Sequence, residues 1–241
     1  MPRLARLFLI VLALGLGGGP GVVHASAPLL ELPAQMPAAE RQRLEDIMRN
    51  AFAATRFAGE PYLTRPDVFE FLLDHPEFAT HVSRAIGAAR YRIWRKEDGL
   101  WLDDGWGVVG RFAVVHAEPG RRIMHAVGRF EQRFLPEIQG QAVVALEYAF
   151  RSEADGRAQV VPTAFGYVQL DSGLLFTVLA RVGAPFIQKK ADREAKWLLG
   201  TFARVSRDIA ANPAEVYRKV SERPDVPRQE LEEFRRLLGV P

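Results

Sequence analysis

The stretch TRPDVFEFLLDHPEFATHVSRAIG, residues 64–87, decides the fold. Thr64 is placed to cap a helix that holds Pro66 and Asp67 in its first turn. A threonine hydroxyl accepts from the unpaired N–H groups of a helix start, and proline there lacks only an N–H that has no partner anyway. Val68, Phe69, Phe71, Leu72 and Leu73 make this helix apolar nearly all round, so it is predicted to be buried on most sides. Asp74, Pro76 and Glu77 repeat the device and open a second helix ending near Gly87. Two short helices thus meet at a sharp corner.

Upstream, Leu44, Ile47, Met48, Ala51 and Phe52 recur at three- and four-residue spacing, which predicts an amphipathic helix over 37–55. Residues 26–36 are rich in proline and alanine and have the composition of a linker. Before them, Arg3 and Arg6 precede an apolar run from Leu7 to Leu14, and Val23-His24-Ala25 ends the segment. A charged start, a short apolar centre and an A-x-A-like end predict a secretory signal peptide, residues 1–25, cleaved after Ala25. The expected location is periplasmic or secreted. Loss of the two arginines lowers the formal charge from +3 to +1, so the basic balance does not argue for a nucleic-acid partner. The chain has no cysteine, which excludes disulfides, thiol nucleophiles and thiolate metal sites.

Downstream, the pattern changes to strands. YRIWRK (91–96) and GLWLDDGWG (99–107) come first, with a turn at Asp104-Gly105. Residues 108–134 form a hairpin about Pro119-Gly120, and residues 141–170 another about Asp155-Gly156. Short turns imply an antiparallel sheet, here of about six or seven strands. Next comes GLLFTVLARVGAPFIQKK, residues 173–190, whose apolar run is too short to span a bilayer as a helix and is interrupted by Arg181. It is expected to turn the chain into a long helix. Ile187, Ala191, Ala195, Leu198, Phe202, Val205 and Ile209 form the stripe of that helix, and Asn212-Pro213 ends it. Two short helices are predicted near 213–221 and 227–238, the last with Leu231, Phe234 and Leu238 as a docking face. A helix pair, an antiparallel meander and one long helix across the sheet make an α+β sandwich.

PDVFEFLLDHPEF (66–78) resembles the helix–corner–helix that follows the first strand of START-like proteins, the SRPBCC superfamily with the helix-grip fold. The passage YVQLDSGLLFTVLARVGAPFIQKKADREAKWLL (167–199) is similar to that family's last strand running into its long C-terminal helix. The resemblance covers about residues 60–212. It implies a START-like domain over 56–212 and a curved antiparallel sheet wrapped on the long helix; the two short helices beyond it make a helical tail over 213–241. The chain departs from the family in its first strand, for which only RFAGEPYL (56–63), containing Pro61, is available. The resemblance also implies an apolar cavity between sheet and helix, where lipid-transfer and polyketide-cyclase relatives hold lipids, sterols, polyketides or aromatic hormones. It carries no catalytic residue, cofactor or metal onto this chain.

The aromatic and apolar candidates for lining such a cavity are Trp106, Leu146, Tyr148, Phe150, Phe165, Tyr167, Leu198 and Phe202. Such residues more often fill a core. The polar candidates are Glu147, His116, His125 and Arg129. In VALEYAF, Glu147 shares a strand face with Val143, Ala145 and Ala149, where a carboxylate is either raised in pKa or paired with an arginine such as Arg111 or Arg129. A two-residue turn at Pro119-Gly120 sets His116 against Ile123 and His125 against Val114, diagonal on one face. No third metal ligand is evident, so a hydrogen-bonded patch is the expected reading. His75, at the helix corner, is expected to be exposed. The leading functional expectation is a carrier of a hydrophobic molecule or lipid, with transient membrane contact; Trp106, in a loop tip, is placed either to gate an entrance or to touch a membrane interface. The alternatives are a cyclase- or lyase-type enzyme and a solid-core interaction module.

Overall fold

The computed structural model of the protein describes residues 30–105, 107–132, 135–152, 156–171 and 184–241. Helix α1 (Ala38–Arg49) buries Leu44, Ile47 and Met48. Strands β1 (Ala53–Ala58) and β2 (Tyr62–Thr64) follow, then helices α2 (Pro66–Asp74) and α3 (Pro76–Ala85). The meander comprises β3 (Arg92–Lys96), β4 (Gly99–Asp103), β5 (Val108–Glu118), β6 (Arg121–Gln132), β7 (Leu135–Ser152) and β8 (Ala158–Leu170). The chain ends in α4 (Ala184–Ala211), α5 (Pro213–Ser221) and α6 (Arg228–Leu238).

All pairings are antiparallel, in the order β1-β8-β7-β6-β5-β4-β3, with β2 also on β8. The protein is α+β, with an open, curved sheet and a long helix after the strands, the arrangement of a helix-grip fold. The eight strands exceed the expected six or seven because the first strand is longer than RFAGEPYL and split. It pairs with β8 from Ala53 to Thr64, with an interruption at Gly59–Pro61. Proline is tolerated there because an edge strand has one side without ladder partners.

The helix expected over 37–55 stops at Arg49, since Phe52 N donates to Val168 O and Ala53 enters the sheet. The apolar spacing continues to Ala51 and Phe52, but edge pairing overrides it. Thr64 does not cap α2. Arg65 takes that position, and the Thr64 hydroxyl meets Ser206 at 3.1 Å. Asp74 likewise does not cap α3; it turns to Arg122. His75 is half-buried, with Nδ1 2.9 Å from Phe71 O. Residues 30–36 do not behave as the linker that their composition predicts: Leu30 and Met36 are buried, and Leu30 N donates to the Tyr167 hydroxyl at 3.0 Å. The expected turn at 173–183 lies outside the described residues.

Each side of the sheet has its own core. On the outer face, α1 covers Ile123, Val143, Ala145, Phe165 and Tyr167. On the helix face, α2 and α4 cover Tyr62, Leu146, Tyr148, Val160 and Ala164. A third core joins α2, α3, α5 and α6 around Phe71, Phe78 and Phe234, as the docking face of the last helix predicts.

Candidate functional site

Side chains alternate across a strand, so the register assigns every sheet residue to a face. Leu146 faces Arg122 and Ala164, which places Val144, Leu146, Tyr148 and Phe150 on the helix face. Val143 faces Tyr167 and Ala145 faces Phe165, on the outer face. The eight apolar candidates are therefore not one group. Leu146, Tyr148, Phe150 and Phe202 come together with α2. Phe165 and Tyr167 lie through the sheet from them, under α1. Leu198 is half-buried on α4, and Trp106 lies outside the described residues.

The group on the helix face is packed around Phe69. Its ring lies 5.0 Å from Tyr148, 5.6 Å from Phe150 and 5.7 Å from Phe202. Those are contact distances for tilted and edge-to-face rings, so this end of the layer is filled.

A polar bridge borders the cluster. Arg122 is buried and donates to Glu70 Oε2 at 2.7 Å, to Asp74 Oδ1 at 2.9 Å and to the Tyr148 hydroxyl at 3.1 Å. It also donates to Glu118 O at 2.6 Å. Tyr148 in turn donates to Glu70 Oε2 at 2.7 Å. Burial and the Glu70 carboxylate push the phenol well above its ordinary range, so it stays neutral. With all three guanidinium nitrogens engaged, Arg122 has no donor left for a ligand. The bridge straps α2 to the sheet. Neither Arg122 nor Glu70 stood out in the sequence, because their meeting depends on how α2 lies on β6 and β7.

Beyond the bridge, the helix face of β6 and β7 changes to small side chains, with Phe112 and Val168 on the strands to either side. Met124 faces Val144, Ala126 faces Ala142, and Gly128 faces both Gly110 and Gly140. A Cβ at Gly110 would lie 2.7 Å from Val127 O, and one at Gly140 would lie 2.5 Å from Gln169 O. Only glycine fits so close to a neighbouring strand, so this row marks where the sheet bends. This strip of alanine and glycine, between Phe112 on β5 and Val168 on β8, is the floor of a candidate trough. Met124, Ala126, Ala142 and Val144 are half-buried, and Val114 is 38% exposed. A cleft of about 260 Å³ opens beside α2, between Thr64, Arg65, Arg157 and Ser206 on its polar side and Val68, Leu72 and Ile209 on its apolar side.

The polar candidates all lie on the outer face. Arg121, not Arg111 or Arg129, pairs with Glu147, at 2.6 Å. Arg129 is exposed and pairs with Glu131 and, at 3.6 Å, with Glu137. His116 faces Ile123 as expected, but His125 faces Ala113 rather than Val114, because a bulge at Val115 shifts the register by one. His125 Nε2 lies 3.2 Å from Gln141 Oε1, and burial pushes its pKa down. His116 Nε2 lies 3.4 Å from Glu118 Oε1. Among the described residues, no three histidine or carboxylate side chains converge on a common metal position.

Comparison with protein-family models finds no match, and comparison with curated proteins finds none. Among solved structures, the chain is similar to a hypothetical protein of Helicobacter pylori, at 12% identity and a TM-score of 0.35, over 64% of this chain and 86% of that one. It is similar to a conserved protein of Geobacillus kaustophilus at 15% identity and 0.36, over 66% and 93%. A third likeness is to Ara h 8.0201, at 14% identity and 0.33, over 66% and 100%. Likenesses of this size carry no argument about family or activity. The architecture rests on the sheet and helices themselves.

Proposed function

We propose that the protein is an exported, START-like carrier that holds a hydrophobic molecule, a lipid or sterol-like compound, between the helix face of its sheet and α4. The observation that carries this reading is the trough. Its floor is built of Ala126, Ala142, Gly110, Gly128 and Gly140, between Phe112 and Val168, with Val114, Met124 and Val144 beside it. Small residues on the inner face of a bent sheet leave room for a guest where large ones would fill the space. The aromatic cluster around Phe69 closes one end, and the saturated Arg122 bridge borders it.

The polar groups favour carriage or sensing over turnover. An enzyme of the cyclase type needs acid–base groups aimed into the cavity. Glu147, His116 and His125 lie on the other face of the sheet, and Tyr148 is committed to Glu70. The filled ring cluster favours a second reading, a solid-core interaction module.

Native mass spectrometry of residues 26–241, purified from a periplasmic extract and followed by organic extraction, decides between them. A discrete added mass that extracts as a lipid is the expected result. A bare protein, still bare after incubation with a lipid extract, would sink the carrier reading and leave the module.

A further inference from the structure

We infer that the cleft beside α2 is a second binding site, for a short-chain monocarboxylate whose apolar tail it holds. The cleft and the trough lie at opposite ends of β8. Thr64, on the polar side of the cleft, pairs with Ala158, whereas Gly140 in the trough floor pairs with Leu170. Helix α2 supplies Val68 and Leu72 to one wall, and the last turns of α4 supply Ser206 and Ile209 to the other. Val68, Leu72 and Ile209 are buried, so the interior is a fixed apolar surface.

Two donors beside that surface are unspent. Thr64 and Ser206 are 4% and 8% exposed, and their hydroxyls meet at 3.1 Å. One O–H donates within the pair. Neither hydroxyl has another partner among the described residues, so the second hydrogen lacks an acceptor. A buried donor without an acceptor is costly, and an oxygen brought into the cleft removes that cost. Arg65 is the other donor. It gives Nε and Nη2 to Asp67, at 3.3 and 2.7 Å, and Nη1 has no acceptor among the described residues.

The lining selects a carboxylate over a neutral oxygen. Its charged members are Arg65 and Arg157, and among the described residues no carboxylate lines the cleft. Asp67 answers Arg65 from outside the lining, and Asp208, the acid nearest on α4, lies 3.9 Å from Arg204. A carboxylate that enters therefore meets guanidinium and hydroxyl donors and no like charge. Hydrogen bonds between ions are about twice as strong as neutral ones. Volume sets the length of the guest. At about 30 Å³ per non-hydrogen atom, the share of one water molecule, about 260 Å³ holds roughly nine such atoms. An unbranched acid of about eight carbons fits, with its tail between α2 and α4 and its head at Arg65. A sterol or a two-chain lipid is too large. The inference does not rest on the carrier reading.

The test is titration of the full mature chain with octanoate, up to about 10 mM, followed by amide chemical shifts in NMR. Shifts are expected at Leu72, Ser206 and Ala210. Octanoate is expected to bind about tenfold or more tighter than 1-octanol, which matches its tail and carries no charge. Arg65→Gln is expected to bring octanoate down to the level of the alcohol. Ala210→Trp fills the cleft from an exposed position and is expected to abolish binding of both. Equal binding of acid and alcohol by the wild type overturns the inference in favour of a plain apolar cleft. Shifts confined to Val114 and Ala126 overturn it and place the acid in the trough. Absence of shifts, or unchanged binding in folded Ala210→Trp, overturns it as well. The comparison of acid with alcohol needs no variant, so it decides even where Ala210→Trp does not fold. A bound lipid in mass spectrometry without octanoate at the cleft refutes this inference alone, and octanoate at the cleft of a protein that carries no lipid refutes the carrier reading alone.

Discussion

Gln188 holds Ala54 by both of its backbone groups: Nε2 donates to Ala54 O at 2.8 Å, and Oε1 accepts from Ala54 N at 3.3 Å. Ala54 lies on β1, the edge strand next to β8, and these groups point away from the sheet. An uncovered edge is a template for pairing with another chain. Helix α4 thus does more than cover the helix face, since its first turns also close one edge.

Gln188→Ala is expected to cost about 1–2 kcal/mol, the worth of two partly buried hydrogen bonds. Amide exchange at Ala54 is expected to quicken more than at Val143 in the sheet centre. An unchanged Ala54 exchange rate would show that the edge is protected by something else.

Arg122→Met removes the hub of the bridge and leaves Glu70 and Asp74 facing a half-buried space. Breaking a buried ion pair from one side costs roughly 3–5 kcal/mol, and partial exposure of both carboxylates puts the expectation near the low end. Tyr148→Phe removes one hydroxyl and is expected to cost about 1 kcal/mol. Urea unfolding measures both, and a loss for Arg122→Met no larger than for Tyr148→Phe would deny the hub its role.

His81 and His125 are both buried, and burial pushes their pKa values below the ordinary 6.5. The unfolded chain therefore takes up these protons at a higher pH than the folded one. The stability that the neutral rings contribute is complete above about pH 6.5 and falls as the pH drops toward their folded values. Denaturation midpoints at pH 7.5 and 5.5 are expected to differ, and the difference is expected to shrink in His125→Gln. A pH difference unaffected by that substitution would assign the effect to other groups.

Val114→Trp fills the trough from a position with room to receive it. It is expected to lower occupancy by a hydrophobic ligand while leaving the melting temperature within a few degrees. Ala195→Trp is a poorer probe, because Ala195 is packed against the sheet and the larger ring would strain the core. Full occupancy in folded Val114→Trp would move the ligand elsewhere.

Phe234 is fully buried against Phe71 and Phe78. Phe234→Ala is expected to cost about 3–5 kcal/mol. Removal of 213–241 would strip the cover from α2 and α3. Retention of wild-type stability by either variant would recast the tail as a separable docking element.

The sequence by itself determined the order and type of elements. The corner at 64–87, the hairpin at Pro119-Gly120 and the helical stripe ending at Ile209 each arise from local backbone chemistry and periodicity, which act over a few residues. Tertiary structure decided which of these residues share a space. Hairpin counting at Pro119-Gly120 sets Gly110 opposite Arg129, but the extra residue at Val115 moves it opposite Gly128, and Gly128 is opposite Gly140. That single shift creates the glycine row of the trough. Strand pairing also sent Phe165 and Tyr167 to the face opposite Tyr148, and the lie of α2 brought Glu70 to Arg122. Side-chain period in a strand is two, so one inserted residue exchanges inside for outside along a whole strand. A bulge is selected by the packing it permits, and packing joins residues far apart in the chain.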